Sequence, residues 1–142
     1  MMMRIPALIL ALALALPQMA YAACTDTNPN PPAIMVEVRE AMLTGDYGLF
    51  AARADAANRI PEPQKLNIIN VLKNAHPDGF DFCEVLIRRD LSDKVFQEIS
   101  VFSEAGKDWV FLYALGASVG GVETLLNFKF SNTASEEIAK LR

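Results

Sequence analysis

His76 is the only histidine of the chain and the side chain best suited to move a proton near neutral pH. A general base needs an orienting partner, and Asp78 and Asp81 are the sequence neighbours that could supply one. No serine, aspartate or second histidine stands at the spacing of a nucleophilic triad or a histidine metal site. His76, beside Pro77, therefore reads first as a helix-end or surface residue. Five carboxylates, Asp78, Asp81, Glu84, Asp90 and Asp93, gather around one segment, where two of them could act as acid and base or bind calcium. Their spacing matches no cation loop, and Asp is a common turn residue, so solvated turns explain most of them. Glu84 alternates with Phe80, Phe82 and Leu86 and could point inward, where a raised pKa would mark a site, but a solvent-facing position at a sheet edge is the more ordinary reading. Arg88-Arg89 reads either as an anion-binding fork or as a charge pair guarding a sheet edge. Gly120-Gly121 lacks the strand–glycine–helix setting of a phosphate loop and reads as a hairpin turn. No cofactor or metal is expected. Trp109, Phe111, Tyr113, Phe128 and Phe130 could line a small-molecule pocket, with core packing as the competing explanation.

Two cysteines, Cys24 and Cys83, allow a single intramolecular pairing. In an oxidising compartment a disulfide between them would close a loop of about 60 residues, worth roughly 4 kcal/mol in chain entropy. Ala22-Ala23-Cys24 also has the ending of a lipobox, which would instead place a lipid on Cys24, but Tyr21 stands where that motif has leucine. Free or intermolecular thiols are the remaining alternative.

The compartment is indicated by the first 22 residues. Arg4 precedes an unbroken ten-residue apolar run, Ala7 to Leu16, between Pro6 and Pro17, and Ala20-Tyr21-Ala22 supplies a small-x-small cleavage pattern. The run is too short to cross a bilayer, which takes about 20 apolar residues. A signal peptide over residues 1–22 is the expectation, leaving a mature chain without a transmembrane segment that is periplasmic or secreted. The chain is 52% hydrophobic with a formal charge of −4. Much of that apolar excess belongs to the leader, and the remaining 120 residues have the composition of an ordinary acidic domain. Such a charge excludes a binder that relies on net positive charge to hold nucleic acid.

The organisation beyond the leader is a Pro-rich segment at 23–32 and one α+β domain at 33–142. Ile34, Val38, Ala41 and Met42 recur at helical spacing, Thr44-Gly45 stops that helix, and Asp46 can cap a second one carrying Tyr47, Phe50, Ala51 and Ala54. Ile68, Val71, Leu72 and Ala75 mark a third. Four segments rich in β-branched and aromatic residues come next, Phe80 to Arg89, Lys94 to Ser103, Asp108 to Ala117 and Val122 to Ser131, joined by links short enough to be hairpins. The spacing predicts a four-stranded antiparallel meander with the helices on one face. Val110 to Leu115, apolar on both sides, is expected at its centre. In the last segment Val122, Thr124, Leu126, Phe128 and Phe130 are expected to share a face, and Thr133-x-x-Glu136 forms a capping box for a short C-terminal helix.

The stretch from Val38 to Tyr47, with a helix on either side of Gly45-Asp46-Tyr47, resembles the opening of many nuclear transport factor 2-like domains. The subsequent order, a helix and then hairpin-linked long strands, is similar to that superfamily's cone-shaped α+β roll. The resemblance covers about residues 33–130. It implies the fold more than any activity, because the superfamily holds enzymes, ligand binders and secreted proteins.

The expected function is accordingly a non-catalytic exported domain that binds a small apolar ligand or a protein partner through its sheet face or a cone cavity. The partner could be a second copy of the chain or another envelope protein. The alternatives are a cavity enzyme of the hydrolase, isomerase or dehydratase type using His76 or Glu84, and an envelope protein anchored by a lipid on Cys24.

Overall fold

A computed structural model describes residues 23–133. The signal peptide expected over 1–22, and all of the C-terminal helix expected after Thr133, lie outside the described residues. No described helix is long and apolar enough to cross a membrane.

Local chemistry accounts for the helices. α1 (Ala33–Thr44) ends where Gly45 takes a left-handed conformation, φ 71°, and α2 (Tyr47–Ala54) starts where Asp46 accepts a hydrogen bond from the Leu49 amide at 3.0 Å. α1 has no side-chain cap from its own N-cap residue, Pro32. Glu123, from the last hairpin, accepts the Ile34 amide at 2.8 Å instead, which ties the helix start to the sheet. α3 (Glu62–Ala75) begins after a break at 55–61.

The sheet is the expected antiparallel meander, β1 (Phe82–Ser92), β2 (Val95–Ser103), β3 (Val110–Val119) and β4 (Val122–Ser131), paired in that order. Gly120 and Gly121, both at positive φ, make the two-residue turn between β3 and β4. The three helices precede the sheet, and α1 and α2 pack on one face of it. Met35, Val38, Met42 and Phe50 meet Phe102, Leu112 and Ala114 there, all buried in one core cluster. Phe128 and Phe130 close the β4 side of this core, with ring centroids 5.6 and 5.5 Å from Phe50.

Two expectations need correction. Only Leu72 of α3 is buried. Val71 is 58% exposed, because α3 packs beside α2 instead of lying across the sheet. The single face expected for β4 is broken by a register shift opposite Leu115/Gly116, where Leu126 is skipped. Leu125, Phe128 and Phe130 consequently face the helices, while Thr124, Asn127 and Lys129 face away. β1 carries a similar shift between Val85 and Ile87. Cys83 and Val85 face the helices before it, and the skipped Leu86 resets the phase so that Arg88 faces them after it.

Candidate functional site

Three places carry chemistry, and the most enclosed lies under the N-terminal strap, residues 23–32. Cys24 is joined to Cys83 on β1, so Cys24 has no thiol left to bear a lipid. Beside the disulfide the strap pairs with the β1 edge: the Thr25 amide donates to the Cys83 carbonyl and the Val85 amide to the Thr25 carbonyl, both at 2.9 Å. This placement delivers Asp26 to two buried guanidiniums. Asp26 Oδ2 lies 2.9 Å from Arg39 Nη2 and 2.8 Å from Arg88 Nη2. Glu98, fully buried on β2, faces the same two arginines, with Oε1 2.6 Å from Arg39 Nη1 and Oε2 3.1 Å from Arg88 Nε. Ser100 donates to Glu98 Oε1 as well.

Two positive and two negative charges therefore neutralise one another away from water, which is what makes their burial tolerable. Burial pushes the Asp26 carboxyl upward, but hydrogen bonds from Asn28 and Arg88 outweigh it and hold the pKa at about 2. Burial works against the Arg88 charge too, and its bonds to Glu98 and Asp26 raise its pKa nonetheless. The Nε of Arg39 is buried without a hydrogen-bond partner among the described residues. Neither sequence reading of Arg88-Arg89 describes this arrangement, since the guanidinium of Arg88 is turned inward and held by carboxylates of the same chain.

The second place surrounds His76, the C-cap of α3. Its Nδ1 lies 2.7 Å from Glu104 Oε2, so its partner is neither Asp78 nor Asp81 but a residue in the link between β2 and β3. The ring packs on Phe80 at a centroid distance of 4.4 Å. Hydrogen bonds from Lys107 and His76 lower the pKa of Glu104. Lys107 also donates to the Ala75 carbonyl at 2.9 Å, and the Tyr47 hydroxyl to the His76 carbonyl at 2.5 Å. Burial, and then the Glu104 and Asp78 charges, push the Tyr47 pKa up to about 12, which keeps that donor protonated. Together these contacts satisfy the end of α3.

The third place adjoins it. Trp109, 52% exposed, precedes β3 and meets Phe82 of β1 edge to face at 5.7 Å. His76, Lys107, Trp109, Val110 and Asn132 border a groove of about 410 Å3 there.

The structure does not bring Trp109, Phe111, Tyr113, Phe128 and Glu84, the side chains the sequence offers for a ligand, into one pocket. Phe128 packs against the helices and borders a smaller groove with Asp55, Arg59 and Ile68. Glu84, Phe111 and Tyr113 lie on the opposite face of the sheet, so Glu84 does not point toward the helices. On that face Ile99, Val101 and Tyr113 are buried, Ile87, Phe111 and Leu115 are half-buried, and Phe82, Trp109, Val119 and Val122 are exposed toward the ends. Asp78, Asp81, Asp90 and Asp93 are exposed, and among the described residues no group of His, Cys, Asp and Glu side chains is placed to hold a metal.

Sequence reasoning missed Asp26, Arg39, Glu98 and Glu104. Two of them carry a signal. Arg39 is in helical phase with Met35 and Met42, and Glu98 is in strand phase with Phe96 and Phe102, so each occupies a position where the pattern asks for an apolar side chain. The fold and this interior define an α+β protein, three helices followed by a four-stranded meander, with a disulfide-tethered strap and a neutral four-charge cluster beneath it. In comparisons with family models, curated proteins and solved structures, nothing matches the chain.

Proposed function

We propose that the chain is an exported, most simply periplasmic, binding domain of nuclear transport factor 2-like type. It performs no catalysis and holds a small apolar ligand against Trp109. The observation that carries this reading is the exposed aromatic pair Phe82–Trp109 beside the groove of about 410 Å3. Scattered exposed apolar residues are ordinary, but an exposed edge-to-face ring pair of which Trp109 lines a groove of small-ligand size is a recognition feature. Export is supported by the leader pattern from Arg4 to Ala22 and by a disulfide of the kind that persists in oxidising compartments. The family reading is supported by the two helices around Gly45-Asp46-Tyr47 and by the hairpin-linked strands, and a cone-like curl of the sheet belongs to the same proposal. The absence of catalysis is supported by the pairing of the candidate groups. His76 and Glu104 are engaged with Phe80, Lys107 and each other at a helix end, and Glu84 stands on the other side of the sheet.

Trp109 is the only tryptophan, so its emission reports this site directly. Titration with N-phenyl-1-naphthylamine should give saturable energy transfer from Trp109. Phe82→Ala should weaken probe binding by roughly tenfold, in line with the loss of one aromatic contact and its buried area. Equal affinity in the wild type and in Phe82→Ala would refute the site. Turnover of a small ester that disappears in His76→Ala would replace this reading with the cavity enzyme. Dimerisation abolished by Phe82→Ala would make a second copy the occupant.

A further inference from the structure

We infer that Arg39 and Arg88 form a carboxylate-binding site that the strap fills with its own Asp26, and that the Cys24–Cys83 bond keeps it filled. The two guanidiniums are 3% and 4% exposed at the side chain; Asp26 Oδ2 bridges them, and Oδ1 also accepts from Arg88 Nη1 at 3.4 Å. That is how an enclosed arginine pair holds the carboxylate of a bound acid. Without Asp26 the cluster has two guanidiniums against Glu98 alone, one uncompensated positive charge in a buried place, and only an anion restores neutrality. The Nε of Arg39 adds a second observation, a buried donor that no acceptor among the described residues meets even with Asp26 in place. Asp26 differs from every other member of the cluster in how it is held. Arg39, Arg88 and Glu98 come from α1, β1 and β2, whereas Asp26 sits on a strap outside these elements, fixed to β1 by the disulfide and by Thr25.

The disulfide sets the effective concentration of Asp26 at the arginine pair, so opening it favours a competing acid. A dithiol reductant accomplishes this. Its thiolate attacks the sulfur of Cys24, the less buried residue, and Cys83 leaves as a thiolate and takes up a proton. The second thiol of the reductant then displaces Cys24, which also ends as a thiol, while the reductant leaves as a cyclic disulfide. Two electrons pass to the protein and two protons go with them.

The test is rescue by acetate. Asp26→Gly, with the disulfide intact, vacates the site. Acetate should stabilise this variant saturably, and a site with a dissociation constant of about 10 mM would raise its folding equilibrium constant roughly tenfold at about 100 mM acetate. Chloride at equal ionic strength should do far less, and the oxidised wild type should not distinguish the two anions. Combining Asp26→Gly with Arg88→Met should abolish the acetate effect. If Asp26→Gly does not fold by itself, recovery of folded signal by acetate over chloride is the same readout. A second arm uses the wild type with and without a dithiol. Acetate should stabilise the reduced protein more than the oxidised one. A peptide of sequence Ser-Thr-Asp-Thr-Asn should do so more strongly than acetate if the natural carboxylate comes from a polypeptide, and less strongly if it comes from a small acid. Equal responses to acetate and chloride in both Asp26→Gly and the reduced wild type would overturn the proposal.

Discussion

Glu98→Gln tests whether the buried charges hold the fold together as a unit. The substitution keeps the side chain's size but removes its charge and turns one acceptor oxygen into an amide NH2. Glu98 is fully buried and faces donors from Arg39, Arg88 and Ser100, so the new NH2 necessarily meets another donor. The two guanidiniums are then left with Asp26 alone. Removing one partner of a buried ion pair costs about 3–5 kcal/mol. At about 4 °C per kcal/mol for a domain of this size, Tm should fall by roughly 12–20 °C. Urea unfolding followed by circular dichroism at pH 7 measures the difference. A second substitution separates electrostatics from packing. Arg39→Met in the Glu98→Gln background removes the surplus charge and leaves Arg88 against Asp26, one against one. The double variant should therefore be more stable than the sum of the single effects by about 1.5–3 kcal/mol. A Glu98→Gln cost below about 1 kcal/mol, or strict additivity in the cycle, would refute the reasoning.

Acid should act on the same cluster. The folded pKa of Asp26, about 2, lies below the ordinary carboxylate value of 3.8, so its contribution is complete above about pH 4 and is lost as pH falls toward 2. After discounting for nearby solvent this is on the order of 1–2 kcal/mol, and the acid limb of a stability–pH curve should flatten by that amount in Asp26→Asn. Gly79→Ala should be among the costliest small substitutions. A Cβ there would stand 2.2 Å from the Leu43 carbonyl oxygen at a φ of 83°, so backbone strain and a backbone clash add to several kcal/mol in denaturant unfolding. Gly106→Ala, also at positive φ but with open space around it, should lose only about 1 kcal/mol.

Local chemistry decides the parts of this fold that are legible in the sequence. Gly45 and Asp46 end one helix and begin the next by backbone conformation and side-chain capping, which need nothing from the rest of the chain. Short links between β-rich segments leave an antiparallel meander as the only sheet they can build. The departures begin where one element decides the fate of another. The periodicity of α3 is that of a core helix, yet Val71 faces out, because α1 and α2 already occupy the sheet face. In β4 unbroken alternation gives Phe128 the wrong neighbours on its face, and in β1 no single alternation puts Cys83, Val85 and Arg88 on one side, because in each strand a skipped residue resets which side the later positions face. The cluster beneath the strap combines both kinds of position. Arg39 and Glu98 break an apolar phase in view of the sequence, and a charge at such a position announces that an opposite charge must come to it. Arg88 reaches it only through the β1 bulge, and Asp26 only through a disulfide spanning 59 residues. A sequence can thus show that a buried charge needs a partner while leaving the partner to the tertiary fold. That division reflects the range of the forces, since phase and capping act within a few residues whereas neutralising a buried guanidinium depends on whatever the finished core brings within about 3 Å.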